Sequence, residues 1–227
     1  MTYEPEATND FIRVFMGPPA VLYGLVAVIS YLLGCFNGAV IVSKYILRDD
    51  VRTHGSGNAG LTNFFRTFGG GLTFVVILCD VLKAVLAVLL GAWAFSYLGN
   101  PVLGRYWAAV FCLLGHMFPC MFQFKGGKGI LSGGTIALML DWHIALASWG
   151  GFLLLTVLTR YVSLGSLWAG LCFPAVTWLC YPDQPAVIAL GFVCGILVVW
   201  KHRGNADRLL HGTERKLSFH KKKEDKA

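Results

Sequence analysis

Charge is scarce in this chain. Of its 227 residues, 14% are Asp, Glu, Lys or Arg, whereas 56% are apolar, and the mean hydropathy is +0.63. A soluble domain is about 45–50% apolar and about 25% charged. The shortage of charge therefore argues against an ordinary soluble domain and predicts a membrane protein. Membrane lipid is an expected partner, and nucleic acid is not.

Other sequence signals are also absent. The first 15 residues carry three acidic side chains and lack a basic stretch before an apolar core, so they do not form a signal peptide. The seven cysteines are odd in number and include no Cys-x-x-Cys pair, which gives no support to a disulfide framework or a zinc site. Because no carboxylate cluster accompanies the polar loops described below, we expect neither a metal nor another cofactor.

Long apolar runs dominate the rest of the chain. They cover residues 18–46, 71–99, 105–122, 129–141, 143–159, 162–182 and 185–200. A membrane-spanning helix needs about 20 apolar residues, and the first, second and sixth runs satisfy this. The fourth run is short, and a polar turn at 141–143 separates it from the fifth. We expect an all-α integral membrane protein with about seven transmembrane helices, with five or six as alternatives.

The positive charges predict an orientation. With seven helices, one side receives 16 of the 19 Lys and Arg residues, the other side receives two, and Lys83 lies inside the second helix. Since cytoplasmic loops are enriched in Lys and Arg, the C-terminus is predicted inside and the N-terminus outside. We therefore expect an extracytoplasmic segment at 1–17, a single polytopic membrane domain at 18–217 and a basic, lipid-facing cytoplasmic tail at 218–227.

Two glycine-rich stretches interrupt the apolar runs on the predicted cytoplasmic side. Residues 55–66 read GSGNAGLTNFFR and residues 124–129 read FKGGKG. Such loops expose backbone N–H groups beside a fixed cation, and this arrangement binds phosphate. The first stretch matches G-x-G-x-x-G but follows a membrane helix instead of a strand, and the second lacks the Ser or Thr of a P-loop. Simple turns remain the alternative, but two such loops on one face favour phosphate binding.

Polar side chains in the first stretch are candidate ligands for that phosphate. Arg66 can hold a phosphate bidentately, because its guanidinium presents a planar fork of donors. Short polar groups precede it at Ser56, Asn58, Thr62 and Asn63. Thr62 or Asn63 could instead cap a helix that begins near Phe64.

The remaining candidates also have structural alternatives. Lys125 and Lys128 flank the second loop, where they could contact lipid headgroups instead of substrate. His116 lies about two turns inside the third helix, where a buried hydrogen-bonding role is commoner than catalysis. Asp80 and Lys83 are spaced i, i+3 on one helix face. This spacing agrees equally well with an ion pair between them and with a substrate contact.

Three stretches of the chain, in this order, resemble the bacterial acyl-phosphate:glycerol-3-phosphate acyltransferases, the PlsY family. They are residues 52–66, residues 115–129 (GHMFPCMFQFKGGKG) and residues 202–214, which contain HRGN, RLL, Gly212 and Glu214. Residues 80–83 (DVLK) and 161–166 (YVSLGS) extend the similarity. The resemblance covers about residues 20–217.

The resemblance implies a seven-helix enzyme of the bacterial cytoplasmic (inner) membrane with its active site in the glycine-rich loops at the cytoplasmic face. Such an enzyme transfers a fatty acyl group from acyl phosphate to the 1-position hydroxyl of glycerol 3-phosphate, giving lysophosphatidic acid and inorganic phosphate. This reaction is the first step of bacterial phospholipid synthesis. The resemblance implies no cofactor.

The resemblance also implies site residues. The catalytic positions would be Ser56, Arg66, Lys125, His202 and Asn205. Substrate-binding positions would be Gly55, Gly57, Asn58, Thr62, Asn63, Gly126, Gly127, Lys128, Gly129, Ser163 and Glu214. His116, Asp80 and Lys83 remain possible members of the site.

An acyl phosphate is an activated mixed anhydride, so the reaction needs no acyl-enzyme. We expect direct attack by the glycerol hydroxyl, with cations and backbone N–H groups stabilising the departing phosphate. His116, His202 and a substrate phosphate oxygen are candidate bases, and we favour the phosphate oxygen because neither histidine has an evident carboxylate partner in the sequence.

Two other classes of protein compete with the enzyme. A transporter or channel for an anionic metabolite would bind with such loops without reacting, but the chain shows no sign of an inverted repeat or of paired broken helices. A lipid-binding scaffold would need the basic tail but not the glycine-rich loops.

Overall fold

The computed structural model describes residues 19–217, so the segments predicted at 1–17 and 218–227 lie outside the described residues. Ten α-helices occur within 19–217. They are α1 (Pro19–Cys35), α2 (Gly38–Ile41), α3 (Leu61–Thr67), α4 (Leu72–Ser96), α5 (Pro101–Met117), α6 (Ile130–Leu140), α7 (Trp142–Thr159), α8 (Val162–Cys180), α9 (Pro185–Lys201) and α10 (Arg203–Leu210). A π-helical turn continues α2 through Ile46, and 3₁₀ turns occupy Val51–Thr53 and Cys120–Phe122.

Each of the seven predicted apolar runs overlaps one helix of at least 11 residues, although α5 begins four residues before its run, and the all-α membrane fold is confirmed. Within the described residues, α4, α7 and α8 are long and apolar enough to cross a membrane by themselves. Two further spans result if the bent pairs α1 with α2 (42°) and α9 with α10 (54°) each cross once. Helices α5 and α6 have 17 and 11 residues. The number of seven spans stays a prediction.

Side-chain caps set several helix starts. Asn37, Asn100 and Asp141 each accept a hydrogen bond from a backbone N–H in the first turn of the helix that follows, at 3.1, 3.0 and 2.8 Å. Such caps satisfy N–H groups that have no partner inside the helix. Asp141 therefore divides the adjacent apolar runs into α6 and α7, as the polar turn in the sequence predicts.

Glycines bring the membrane helices close together. A Cβ on Gly91 of α4 would meet the backbone carbonyl of Gly104 on α5, and a Cβ on Gly34 of α1 would meet that of Cys112. Small residues at helix contacts allow such backbone approach, and this is a common packing mode in membrane proteins. The tightly packed α1, α4 and α5 form a firm base for the loops at one end of the bundle.

The bundle is apolar on both its inside and its outside. Tyr106, Leu113 and Ile136 are fully buried in the core of the bundle, whereas Leu82 and Leu86 of α4 are about half exposed. Exposed leucines on a helix of this length are the expected lipid-facing surface. The polar segments 51–67, 118–129 and 202–217 gather at one end of the bundle, where the candidate site lies.

Candidate active site

Asn63 holds the first glycine-rich loop in shape. Its Oδ1 accepts a hydrogen bond from the Ser56 backbone N–H at 3.1 Å. Its Nδ2 lies within 2.9–3.1 Å of three backbone carbonyls, those of Val51, His54 and Asn58. Gly55 and Gly57 have φ of +60° and +67°, a region that favours glycine. Asn63 therefore folds the loop into a tight turn around its own amide.

The capping alternative for Thr62 and Asn63 is wrong. Helix α3 begins at Leu61, three residues before the predicted start, and its N-cap is Gly60, which makes no side-chain cap bond. Both polar atoms of the Asn63 side chain, Oδ1 and Nδ2, already form hydrogen bonds with the loop backbone. Neither atom is left without a partner for the predicted contact with substrate. The side chain of Thr62 lies at the cavity described below.

Two long-range contacts tie the first loop to its surroundings. Asn37, at the break between α1 and α2, donates from Nδ2 to the Ala59 carbonyl at 3.0 Å. Arg52 donates to the Phe122 carbonyl at 2.9 Å and forms an ion pair with Asp50 at 2.7 Å. These contacts bring the first loop next to the segment that leads into the second loop, as predicted from their common side of the membrane.

The second glycine-rich loop packs against the end of α5. The Gly127 backbone N–H donates to the His116 carbonyl at 3.1 Å. A Cβ on Gly127 would meet His116 Nε2 and, at 2.6 Å, the Ala59 carbonyl. Gly129 has a φ of +78°. The glycines at 126 and 127 are therefore required for close packing, and Gly129 is required for the turn that leads into α6.

The segment after α9 adds a chain of polar contacts. Lys128 Nζ donates to Asn205 Oδ1, and Asn205 Nδ2 donates to Glu214 Oε1 at 2.8 Å. The other carboxylate oxygen of Glu214 accepts from Arg208 Nε at 2.7 Å. One hydrogen-bond network thus connects the second loop to α10 and to the segment that follows α10. The sequence assigns Lys128, Asn205 and Glu214 to the site, and the structure brings them together.

Burial changes the acid–base properties of this network. It lowers the pKa of Lys128 to about 8, with a further contribution from the nearby charge of Arg208. Burial likewise lowers the pKa of His202 to about 4. Although burial alone would raise the pKa of Glu214, hydrogen bonds from Asn205 and Arg208 lower it overall. At neutral pH the network therefore carries a lysine cation, a neutral histidine and a carboxylate.

Asp80, Lys83 and His116 form a second network inside the bundle. Lys83 Nζ lies 2.6 Å from Asp80 Oδ1, and both side chains are 2–3% exposed. The same ammonium lies 2.7 Å from His116 Nδ1 and donates to the Phe36 carbonyl at 3.1 Å. The ion-pair interpretation of Asp80 and Lys83 is confirmed. Asp80 Oδ1 also lies 3.7 Å from His116 Nδ1, so the expectation that no carboxylate accompanies this histidine is wrong.

These elements enclose one polar cavity of about 450 Å³. Its walls come from both loops, from α3, from the start of α8 and from the segment after α9. Of the 19 predicted site residues, 14 line it: Gly55, Ser56, Asn58, Thr62, Asn63, Arg66, Asp80, His116, Lys128, Gly129, Ser163, His202, Asn205 and Glu214. Residues as far apart in sequence as Gly55 and Glu214 thus meet at a single site, as the loop arrangement predicts.

Five predicted residues do not line the cavity. Gly57, Gly126 and Gly127 shape the loops behind it, and Lys83 lies beneath it in the ion pair. Lys125 is exposed on the surface and lies outside the cavity wall, whereas Lys128 lies inside it. The catalytic role of Lys125 stays a prediction, and the geometry gives the cavity lysine position to Lys128.

Sequence reasoning missed ten lining residues: Gly60, Leu61, Ile130, Leu131, Trp149, Phe152, Val162, Ser166, Arg208 and Arg215. Two of them are cations and two are aromatic. Arg208 belongs to the third family-like stretch, but its role was not predicted, and Arg215 follows Glu214 directly. Trp149 and Phe152 lie one turn apart on α7 and line the apolar side of the cavity. An arginine within a matched motif could have drawn attention to position 208. No pattern in the sequence distinguishes these two aromatic residues, which line the cavity, from the apolar residues of α7 that face lipid.

An apolar pocket adjoins the polar cavity. Gly129, Ile130, Trp149 and Phe152 line both spaces. The apolar pocket continues between α6, α7, α8 and α9 toward Phe173 and Cys194. Trp149 donates to the Gly134 carbonyl at 3.1 Å, and a Cβ on Gly134 would overlap its indole ring. The polar cavity and the apolar pocket are therefore immediate neighbours, separated by residues that belong to both.

Possible metal ligands occur together away from this cavity. Within residues 19–217, Asp141, His143 and Cys180 place ligand atoms within 4.8 Å of one another at the connection between α6 and α7. None of the three lines the polar cavity. The cations of the cavity itself are Arg66, Lys128, Arg208 and Arg215.

Fold and site together define an integral membrane protein whose helix bundle carries a cationic cavity at one end, next to an apolar pocket. Comparisons with known proteins agree. The family model described as glycerol-3-phosphate acyltransferase matches residues 24–212. The chain belongs to this family.

Curated relatives match almost along their whole length. A glycerol-3-phosphate acyltransferase of Clostridioides difficile is 39% identical over 196 residues, which are 86% of this chain and 95% of the relative. One from Thermosynechococcus vestitus is 35% identical over 204 residues, 87% of this chain and 96% of the relative.

Two solved structures have the same fold. Both are crystal structures described as PlsY (YgiH), an integral membrane glycerol 3-phosphate acyltransferase. The glycerol 3-phosphate form superimposes with a TM-score of 0.76 at 29% identity, covering 86% of this chain and 96% of that chain. The form with lysophosphatidic acid gives a TM-score of 0.73 at 28% identity, with coverages of 86% and 95%.

Proposed function

We propose that this protein transfers a fatty acyl group from acyl phosphate to the sn-1 hydroxyl of glycerol 3-phosphate, releasing lysophosphatidic acid and inorganic phosphate. The observation that carries the proposal is the junction of two spaces. A cavity with the cations Arg66, Lys128, Arg208 and Arg215 adjoins an apolar pocket between the helices. Both substrates carry a phosphate, and one of them carries a hydrocarbon chain.

The charges of the cavity suit two phosphates. Asp80 is neutralised by Lys83, and Glu214 is neutralised by Arg208. Arg66, Lys128 and Arg215 form no ion pair within the described residues. The proximity of Arg215, together with burial as the larger cause, lowers the pKa of Arg66. A bound phosphate would relieve this repulsion between two guanidinium groups and would bind in a bidentate manner to Arg66.

The loops supply further donors to the phosphates. Ser56 and Asn58 line the cavity beside a turn whose backbone is fixed by Asn63. Lys128 is held toward Asn205, which Glu214 in turn orients. In this proposal the donors act on the departing phosphate without rearranging, since the protein holds them in place before substrate binds. Ser163 contributes a hydroxyl from the start of α8.

The acyl transfer proceeds by direct attack. The glycerol oxygen forms a bond to the acyl carbonyl carbon, the carbon–oxygen bond to phosphate breaks, and inorganic phosphate leaves with the bonding electrons. The hydroxyl proton passes to a phosphate oxygen. Burial holds the pKa of His202 near 4, which makes this histidine a weak base at neutral pH.

His202 has a positioning role in this proposal. Its Nδ1 lies 2.8 Å from the Val198 carbonyl, which can only accept a hydrogen bond. The proton of the neutral ring therefore lies on Nδ1, and Nε2 keeps its lone pair. That lone pair can accept a hydrogen bond from the glycerol hydroxyl and orient the oxygen for attack. We place this site at the cytoplasmic face of the bacterial inner membrane, in agreement with the Lys and Arg distribution.

The decisive experiment uses purified protein, acyl phosphate and labelled glycerol 3-phosphate. We expect labelled lysophosphatidic acid and inorganic phosphate in equal amounts, with little product when acyl-CoA or acyl carrier protein replaces the acyl phosphate. Protein incubated with labelled acyl phosphate alone should carry no covalent label. Uptake of glycerol 3-phosphate into protein-containing vesicles without product would instead establish a transporter.

Two lysine variants provide a matched pair for this assay. Lys128→Ala removes a cation from the cavity wall, whereas Lys125→Ala removes one from the exposed surface three residues away. We expect Lys128→Ala to lower kcat/KM at least about tenfold, since hydrogen bonds to charged groups are worth about 1.5–3 kcal/mol. Lys125→Ala should stay near wild type. The reverse order would refute the assignment of the cavity lysine.

A further inference from the structure

The ammonium of Lys83 contacts groups from three elements. It donates to the Phe36 carbonyl after α1 at 3.1 Å and lies 2.7 Å from His116 Nδ1 on α5, and it forms an ion pair with the Asp80 carboxylate on α4 at 2.6 Å. A lysine ammonium has three donor hydrogens and no lone pair. Every contact of this ammonium with a neighbouring lone pair is therefore one in which Lys83 is the donor, and the buried charge is paired with a carboxylate.

This arrangement decides where the proton of His116 lies. An ammonium can only donate, so His116 Nδ1 must accept, and in a neutral imidazole the proton is then on Nε2. Protonation of Nδ1 would place an N–H against an ammonium at 2.7 Å. Lys83 and Asp80 thus select one tautomer of His116. His202, whose Nδ1 lies beside a carbonyl, has the opposite tautomer.

His116 is one of the residues that line the cavity, although it is only 3% exposed. Its ring edge lies against Gly127, where a Cβ would meet Nε2. Within residues 19–217, Nε2 makes no hydrogen bond, whereas Nδ1 is bonded to Lys83. An N–H with no protein partner on a residue that lines the cavity can donate to a ligand oxygen.

We propose that His116 is a hydrogen-bond donor to an anionic oxygen of the bound substrates and that Lys83 is the residue that positions it. The identity of the substrates rests on the proposed function, but the donor role does not depend on turnover. Lys83 excludes a general-base role for His116, because the nitrogen with the lone pair is already occupied. The Nε2–H would join the donors of Lys128 and the first loop around a phosphate or a developing oxyanion.

Two amide variants separate the possible roles. In His116→Gln the amide nitrogen takes the place of Nε2, so the donor toward the cavity is kept and the acceptor for Lys83 is lost. In His116→Asn the amide oxygen takes the place of Nδ1, so the acceptor for Lys83 is kept and the donor is lost. His116→Ala lacks both groups. All three are compared with wild type for kcat/KM and for thermal unfolding in detergent.

We expect His116→Gln to remain within about threefold of wild type, and His116→Asn and His116→Ala to lose about 10- to 100-fold in kcat/KM, as for a hydrogen bond to a charged group. Equal losses in Gln and Asn would indicate a base and overturn the proposal. Activity retained in Asn but lost in Gln would show that His116 only satisfies Lys83, and would also overturn it.

A spectroscopic test works without catalysis. In ¹⁵N-histidine-labelled protein, the His116 signals, assigned by their loss in His116→Gln, should show a protonated Nε2 and an unprotonated Nδ1. Addition of glycerol 3-phosphate or inorganic phosphate should shift the Nε2–H signal. A proton on Nδ1, or an Nε2–H signal unaffected by saturating ligand, would refute the donor role even if the acyl donor proves to be different.

Discussion

The loss of the Lys128 proton should limit activity at alkaline pH. Burial lowers the pKa of this lysine to about 8, within the range in which enzymes are readily assayed. Below pH 8 the ammonium is present and can bind phosphate, and above pH 8 it is lost. A phosphate monoester has its second pKa near about 6, so the substrate stays dianionic throughout this range. The alkaline limb of kcat/KM should therefore report Lys128.

The size of the effect follows from the titration. One pH unit above its pKa, about one tenth of the lysine is protonated, so kcat/KM for glycerol 3-phosphate at pH 9 should be about tenfold below its plateau at lower pH, and about fivefold below its value at pH 8. The other titrating groups of the network do not interfere, because the pKa of His202 is about 4 and that of Glu214 is lowered from an already acidic value. Binding of phosphate raises the lysine pKa, so the limb in kcat should lie above the limb in kcat/KM.

Lys128→Arg provides the test. A guanidinium stays charged to beyond pH 12 or so, so the variant should lose the limb near pH 8 even if its maximal rate is lower. The pH profiles of wild type, Lys128→Arg and the surface variant Lys125→Arg are measured with glycerol 3-phosphate varied at saturating acyl donor. An unchanged limb in Lys128→Arg would refute the assignment, and a limb that moves in Lys125→Arg would transfer it to the exposed lysine.

Three further changes have separate expected results. Asn63→Ala removes the amide that holds the first loop and should lower the free energy of unfolding by about 2–4 kcal/mol, measured in detergent; unchanged stability would show that the loop holds itself. Glu214→Ala should lower kcat/KM about tenfold because Asn205 loses its orienting carboxylate, and Glu214→Gln should recover part of that loss. Gly134→Ala places a methyl group on the Trp149 indole, and competition between acyl phosphates should show a preference for shorter chains; an unchanged preference would place the chain elsewhere.

The helices and the grouping of the loops could be predicted because a membrane-spanning helix is recognised from the hydrophobicity of a single continuous segment. An apolar run such as 71–99 has few alternatives to a helix, and α4 occupies Leu72–Ser96 within it. The loops at 55–66 and 124–129 follow helices that end on the same side, so their meeting in one cavity followed from helix counting. These inferences required no knowledge of side-chain packing.

The break near Asn37 and the short helix α10 could not be predicted in the same way. Residues 18–46 form one continuous apolar run, yet α1 stops at Cys35 because Asn37 caps the next helix and bonds to Ala59 in the first loop. That contact joins positions 22 residues apart, and no local pattern signals it. Likewise, the sequence of α10 is polar, and by itself it would be predicted as a loop. Its Arg208 forms a hydrogen bond with Glu214 that the sequence does not reveal.

The choice between Lys125 and Lys128 shows the same limit. In the sequence both lysines flank the same pair of glycines, and either could face a phosphate. Gly127 must lie against His116, which fixes the direction of the loop. With the loop in this direction and a turn at Gly129, Lys128 contacts Asn205, whereas Lys125 lies on the surface. A tertiary contact, instead of spacing, decides which cation belongs to the site.

The two cavity histidines have opposite hydrogen-bonding functions, and no sequence motif predicts this difference. His116 accepts from a lysine and presents an N–H, whereas His202 donates to a carbonyl and presents a lone pair. A transfer between a hydroxyl and an anionic leaving group needs both functions: an acceptor for the attacking hydroxyl and a donor for the oxygen on which charge develops. Because each tautomer is set by a partner outside the cavity, neither ring has to exchange a proton for the site to be ready. In the proposed mechanism, the hydroxyl proton can then pass to the substrates' own phosphate.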